Sequence, residues 1–588
     1  MKRFTSCFFT GVLAVSASFL MPACSAGSAG ADGNRRPDST GLFLINQEGY
    51  RPGSAKIALL RLPATEFEVV DEESGRAVYS GKTGKPRYWS LSGDTVRAAD
   101  FSDLDTPGTY RLVTRQPAAS SWPFSIGENV YSDITVASIR AFYFNRSGME
   151  IVPEYGGKWA RPAGHPDTSV LIHPSAASPS RPAGTVISSP GGWYDAGDYN
   201  KYMVNSGITT YTLLLFLQQY PEYCRELRLN IPESNNTLPD VADELLYNLK
   251  WMLTMQDPAD GGVYHKLTHK NFSGFVMPHQ TTEPRYVVQK STAAALNFAA
   301  VTAMAARVLK NYPGPETENL PETCLRAARK AMAWAREHSD VIYRQPADIQ
   351  TGEYGDGNLE DEWFWAETEL ALTGEDPGAI NTGYIRDHEF RTPTWNQVEM
   401  LGLWSLVLSG HEEFSAAAGL AGGKLMERAG ILYKKYNTSP YLVSLDHFEW
   451  GSNAEVANQA LVKLIAMNIS GDEKYLAAIQ GDVDYLLGRN ATGYCFVTGF
   501  GSRSPVNIHH RPSGADGIPE PVPGFLVGGP NTQVMHDCGP LVKRSAFPAR
   551  SYTDTECSYS TNEIAINWNV PFFYLMGAMD VMTRKAGL

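Results

Sequence analysis

Two separated stretches of the chain carry acids in arrangements that chemistry can use. In GGWYDAGDYNKY, from Gly191, Asp195 and Asp198 stand three residues apart among aromatic residues and glycines. Far downstream, SYTDTECSYSTNEIAINWN, from Ser551, puts Asp554 on a loop and Glu563 at the start of an apolar helical pattern. Singly, each has a commoner explanation: a DxxD caps helices, closes turns or binds calcium, and a first-turn glutamate is usually a cap or dipole partner. Together they supply what glycosidic hydrolysis requires, a carboxylic acid on one side of the scissile bond and a carboxylate on the other. Trp193 and Tyr194 offer flat faces to a sugar ring, and Gly191 and Gly192 permit close approach. A third stretch, VTGFGSRSPVNIHHRPS from Val497, holds His509, His510 and Arg511. Adjacent histidines rarely point at one ion, so hydrogen bonding to substrate is the better functional reading and a buried histidine pair the structural one.

These residues need a large scaffold. At 588 residues the chain divides into at least two domains. From Leu42 to about Ile126, short runs such as IALLRL, FEVVD and TYRLVTR alternate with turn signals, which predicts an immunoglobulin-like β-sandwich. From Tyr131 helical periodicity takes over, with segments around Ala137, Tyr202, Asp243, Ser291, Leu325, Glu362, Thr394, Ala416, Asn453, Tyr475 and Ile564. Around twelve helices without a fixed sequence repeat predict an α/α toroid whose end loops carry a cleft. The net charge of −13 gives no reason to bind nucleic acid.

Lys2 and Arg3 precede an apolar run, Phe8 to Met21, that reads as an export signal. LMPACSAG resembles a bacterial lipoprotein signal, which makes Cys24 the lipidation position and Gly-, Ser- and Ala-rich residues 24–41 a flexible tether. The expected organisation is a signal peptide at 1–23, the tether at 24–41, the sandwich at 42–127 and the barrel at 128–588. An exported lipoprotein follows, periplasm-facing or at the outer membrane, monomeric and touching the membrane through Cys24 alone. The five later cysteines are odd in number and widely spaced, so at most one or two disulfides are expected.

GGWYDAGDYNKY, FGSRSPVNIHHR and YTDTECSYSTNEIAINWN, in this order, resemble the three motifs of glycoside hydrolase family 9, endoglucanases with an immunoglobulin-like module before an (α/α)6 barrel. DEWFWAETELALTG, FEWGSNAEVANQAL and GGPN also look like family segments. The resemblance runs from roughly residue 42 to the C-terminus. It implies a mainly α fold, with Asp198 as general base, Asp195 as its helper, Glu563 as general acid, Asp554 as a further marked acid, and His509 and Arg511 contacting sugar. It implies inversion as well, with acid and base about 6.5–9.5 Å apart. Trp193, Trp365, Trp450 and Tyr559 are the proposed stacking positions, core packing being the alternative for each.

The resemblance further implies β-1,4-glucan cleavage without a catalytic cofactor. No cellulose-binding segment follows the barrel, which favours soluble xyloglucan or mixed-linkage β-glucan over amorphous cellulose. Many relatives hold zinc through two Cys and two His before DAGD. Here Ser147 and Gly164 stand where cysteines would, with His165 retained, so no zinc is expected there; a structural calcium is compatible with the family. The competing readings are a glycan-binding lipoprotein that has lost turnover, an exo-acting glucosidase and a polysaccharide lyase, the last a poor match for an acidic chain on an anionic polymer.

Overall fold

Why a toroid forms is visible in the contrast between two kinds of helix. Met203–Gln219 buries every residue from Met203 to Leu217, and Ala-rich Thr292–Val308 buries all but one. Such helices must be covered on all sides. Leu320–Glu337 instead buries Leu320, Cys324, Ala327, Ala328, Ala331, Trp334 and Ala335 and turns its Arg and Lys residues outward, the one-sided pattern of an outer helix. Thr292–Asn311 is long and apolar enough to cross a membrane, but its apolar window is 94% buried inside the protein.

The computed structural model describes residues 40–375, 377–540 and 542–586. Cys24, the signal segment and the tether up to residue 39 lie outside the described residues. Eleven helices of ten or more residues are described: α1 Ser132–Phe144, α2 Met203–Gln219, α3 Asp240–Thr254, α4 Thr292–Val308, α5 Leu320–Glu337, α6 Glu360–Leu372, α7 Glu399–Leu408, α8 Ser415–Thr438, α9 Ser452–Ser470, α10 Lys474–Leu486 and α11 Ile566–Ala586. Helices α2, α4, α6, α7, α9 and α11 pack in succession, and α11 returns to α2, closing an inner ring. Outside it, α1 lies on α11, α3 on α2, α5 on α4, α8 on α7 and α9, and α10 on α9. The remaining outer position is taken by the short helix Thr382–Asp387, whose Tyr384 stacks on Phe364 of α6. The helix expected around Thr394 begins only at Glu399, because a tight bridge between Thr394 and Gln397 follows Pro393.

The N-terminal sandwich has ten strands, β1 Phe43–Leu44, β2 Gly49–Tyr50, β3 Ile57–Leu60, β4 Glu66–Asp71, β5 Ala77–Lys82, β6 Arg87–Trp89, β7 Asp94–Asp100, β8 Gly108–Arg115, β9 Ala118–Ser120 and β10 Phe124–Ile126. One sheet runs β1-β3-β7-β6 and the other β2-β10-β8-β4-β5, with β9 on β8. Strand β8 buries Tyr110, Leu112 and Thr114 alternately, as a one-face strand should. The first sheet is apolar on both faces: Phe43, Leu60 and Ala99 join the sandwich core, whereas Leu44, Leu59, Trp89 and Val96 join the core of the barrel. Trp89 packs 4.4 Å from Tyr441, close to the loop that forms one cleft wall.

A third sheet was not expected from the sequence. Strands β11 Val170–Ile172, β12 Val186–Ile187, β13 Lys201–Tyr202, β14 Lys266–Thr268 and β15 Tyr286–Val287 are ordered β12-β11-β15-β14-β13. Strand β13 joins the DAGD loop to α2, so this sheet fixes the height at which the acids stand. Cys538 and Cys557 form a disulfide, while Cys224, Cys324 and Cys495 are buried free thiols.

Candidate active site

One cleft of about 590 Å³ has Asp195, Asp198 and Glu563 in its lining, with Tyr202, Tyr354, Trp395, Trp450 and Trp568 among its aromatic residues. Backbone hydrogen bonds join the three motif segments beneath it. Ile566 N donates to Asp195 O at 2.8 Å, His509 N to Asn562 O at 2.9 Å, and Arg511 N to Gly197 O at 3.1 Å. Glu563 lies in extended backbone three residues before α11, not in its first turn. It is held by Gly528 N on its own carbonyl and by a bridge between Val527 and Ile564.

Gly197, between the two aspartates, is a glycine because of close approach. A Cβ there would lie 2.1 Å from His509 O and 3.1 Å from Glu563 Oε1. Its N–H donates to Glu563 Oε1 at 3.3 Å and its carbonyl accepts from Arg511 Nη1 at 2.6 Å. One residue thus spaces the aspartate pair from the glutamate.

The two aspartates have unequal surroundings. Both Asp195 oxygens accept from Asn205 Nδ2, at 2.9 and 3.1 Å, and Oδ2 also accepts from Tyr354 OH at 3.0 Å. Burial first, then the charge of Asp198, push Asp195 up to about 8, against the opposing effect of those donors. Asp198 Oδ2 accepts from Tyr202 OH at 3.0 Å and from Asn200 Nδ2, while Oδ1 has no protein partner. The free oxygen belongs to Asp198. Glu563 is raised well above the usual carboxylate range by burial and by Asp198, with Arg511 opposing. That keeps a proton on it near neutral pH.

Several sequence expectations need correction. Trp193 is fully buried, its indole N–H bonded to Glu244 at 2.7 Å and its ring 4.8 Å from Phe142, so no sugar reaches it. Trp365 is fully buried edge-on to Tyr211 at 5.4 Å and is core as well. Asp554 is outside the cleft lining. Its carboxylate accepts from Val506 N and Asn507 N, each at 2.9 Å, and from Asn562 Nδ2 at 3.0 Å, bolting the histidine loop to the acid segment. Arg511 is buried and turned inward, onto Gly197 O and Ser273 O, with its guanidinium 5.4 Å from the Phe272 ring. Phe272, 48% exposed and in the cleft wall, is the aromatic face at that position.

His509 stands beside the cleft, half-buried between Phe275 and Tyr559. Its Nδ1 faces Glu556 O at 2.7 Å. A carbonyl only accepts, so Nδ1 carries the proton, and burial lowers the imidazole below its ordinary value. Nε2 is then the acceptor. His510 is buried, with Nε2 3.2 Å from Asn145 Oδ1. Trp450 is 44% exposed on the cleft wall, 5.4 Å from Tyr559. Sequence reasoning missed Asn205, Tyr354, Tyr202, Trp395 and Phe272; Tyr202 closes the DAGD motif and could have been read from it, the other four belong to no patterned cluster, and a positive φ of 49° at Tyr354 is invisible before folding.

The zinc position of relatives does not fit a metal here. Ser147 Oγ donates to His165 O at 3.2 Å, and a side chain on Gly164 would meet Pro278 C at 2.5 Å. His165 Nδ1 is 2.8 Å from Tyr194 OH, and Nε2 is taken by Thr281.

Comparison with known proteins follows the same lines. The family model for glycosyl hydrolase family 9 matches residues 131–576, and that for a cellulase N-terminal ig-like domain matches residues 39–118. A xyloglucan-specific endo-beta-1,4-glucanase of Bacteroides ovatus is 42% identical over 556 residues, covering 92% of this chain and 93% of its own. Endoglucanase D of Acetivibrio thermocellus is 32% identical over 547 residues, covering 90% and 82%. A solved structure, Bacteroides ovatus GH9, superposes with a TM-score of 0.85 at 41% identity, covering 92% of this chain and all of that one. The cleft, its converging acids and these matches lead to one conclusion: the chain belongs to glycosyl hydrolase family 9, with an N-terminal ig-like domain ahead of a helical catalytic toroid.

Proposed function

We propose that the protein is an inverting endo-β-1,4-glucanase whose preferred substrate is xyloglucan, followed by mixed-linkage β-glucan and amorphous cellulose. The observation that carries the chemistry is the unequal pair: a carboxylate with a free oxygen, Asp198, in the same cleft as a glutamate that burial keeps protonated. Asp198 Oδ1 takes a proton from water as the water oxygen bonds to the anomeric carbon. The bond to the leaving oxygen breaks, and Glu563 gives that oxygen its proton. Asp195, held by Asn205 and Tyr354, orients the same water. Turnover leaves Asp198 protonated and Glu563 ionised, and exchange with solvent restores both. The alkaline limb of activity then carries loss of the Glu563 proton together with the titration of Asp195 at about 8.

The likeness to the Bacteroides ovatus enzyme supports xyloglucan. Purified protein given xyloglucan, mixed-linkage β-glucan, carboxymethyl cellulose and a uronic-acid polymer should cut xyloglucan fastest, with an early fall in viscosity and oligosaccharide products. Glucose as the first product would contradict endo action, and an ultraviolet-absorbing product from the uronic polymer would indicate a lyase.

A structural calcium belongs to the same reading. Among the described residues no three His, Cys, Asp or Glu form a ligand set as they stand. Yet the buried carboxyls of Asp356, Asp361 and Glu362 crowd together, Glu362 meeting both aspartates, and hard, anionic oxygens suit calcium. Those three residues would hold it, and the ion would offset the repulsion among their carboxylates. Added calcium should raise Tm by several degrees in the wild type and not in Glu362→Gln; equal melting with calcium and with chelator would count against it.

A further inference from the structure

Helix α9 enters the cleft end-on. Gly451, at φ 86°, seats its start against the Trp568 indole, where a Cβ would come within 2.8 Å of Nε1. Ser452, Ala454, Glu455 and Asn458 of its first two turns line the cleft. Glu455 is the anomaly among them. It is a carboxylate on the wall of a cleft for neutral sugars, and it is not among the groups whose charge acts most on Asp195 or Glu563.

Its surroundings hold it in place: burial raises its carboxyl, and the Gln459 hydrogen bond and the charges of His447 and Arg428 oppose that rise. Gln459, fully buried one turn on, donates Nε2 to Glu455 Oε1 at 2.8 Å, while its own Oε1 is left without a partner. A buried amide carbonyl without a donor is costly, so the donation to Glu455 is not incidental to where this side chain points. Two cationic groups nearby, His447 and Arg428, act on it by charge while making the hydrogen bonds that follow with other residues. Arg428 Nη2 donates to Thr392 Oγ1 at 2.9 Å, and His447 Nδ1 sits 3.1 Å from Asp446. Asn458 is held too, its Nδ2 on Pro393 O at 3.1 Å. A carboxylate accepts about four hydrogen bonds. Gln459 and Thr392 account for two at most, and the remainder face a cavity that Trp395 and Trp450 also line.

An oriented carboxylate beside aromatic faces is suited to a pyranose whose ring packs on the indole while two neighbouring hydroxyls donate to the acid. We propose that Glu455 is a substrate-binding residue, holding a vicinal hydroxyl pair of a backbone glycosyl unit away from the scissile bond, with Gln459 as its positioning residue. This rests on the endoglucanase reading and deepens it. Since the contact forms in both ground and transition state, its loss raises KM and leaves kcat alone.

The test compares wild type, Glu455→Gln and Glu455→Ala as full chains, with melting curves to verify folding. On xyloglucan and on unbranched mixed-linkage β-glucan, Glu455→Ala should raise KM about tenfold with kcat within about twofold, the size expected for two hydrogen bonds to a charged group. Glu455→Gln, able to accept at one oxygen, should fall between. Gln459→Leu should reproduce part of the KM change. Unchanged KM in Glu455→Ala, or a fall in kcat at constant KM, would overturn the assignment. Failure of the wild type on every glucan would instead refute the endoglucanase reading. Calorimetric binding of a xyloglucan oligosaccharide would then judge Glu455 by itself: weaker binding in the alanine variant supports it, and equal binding refutes it.

Discussion

Glu563→Gln lowers turnover of xyloglucan by about 10²–10⁴-fold, the usual contribution of one general acid, and Asp198→Asn does the same for the base. Oligosaccharide affinity changes far less, because neither carboxylate is needed to hold the sugar. The two variants separate on leaving group. An aryl glucan with a good leaving group needs no protonation, so Glu563→Gln recovers most of its rate on it. Asp198→Asn stays equally slow on both, since water must be deprotonated in either case. Recovery of Asp198→Asn with the aryl substrate would exchange the roles. Asp195→Asn should fall less steeply and change the pH profile, because Asp195 is already bonded to Asn205 and Tyr354 and lacks the free oxygen of Asp198.

Gly197→Ala should cost nearly as much without touching an ionisable group. The new methyl would meet His509 O at 2.1 Å, and that backbone is tied to Asn562, one residue before the acid. Something must shift, and every atom able to do so belongs to the site: the Gly197 peptide, His509 or Glu563. An overpacked site of this kind loses about 1–3 kcal/mol of stability. Turnover should fall more than 10²-fold, in line with the sensitivity of catalysis to displacements of about 1 Å. A lowered Tm combined with normal kcat would mean that the spacing between aspartates and glutamate is looser than the contacts indicate.

What the sequence made legible was local. DAGD, the histidine segment and the acid segment each lie within about twenty residues, and each places at least one side chain at or beside the cleft. The alternation of β8 and the one-sided pattern of α5 are equally local. Exposure was not legible. Trp193 and Trp450 both sit beside acids and glycines in motif segments, yet Trp193 is sealed by Glu244, 51 residues away on α3, whereas Trp450 stands at the cleft rim. The donors that distinguish Asp195 from Asp198 come from α2 and from the loop bearing Tyr354, 159 residues on. The five-stranded sheet escaped because its strands are two or three residues long, too short for alternation to register. Arg511 was expected at the sugar because its motif is; the fold gives it Gly197 and Ser273 carbonyls instead.

The most direct test of the chemistry is the anomeric configuration of the first product, followed by proton NMR from the first minutes of xyloglucan cleavage, before mutarotation mixes the signals. Water activated by Asp198 opposite the proton donor Glu563 predicts that the new reducing end is born α and drifts toward β. A product born β would require a covalent intermediate and retention, and would contradict the assignment of Asp198 as a base.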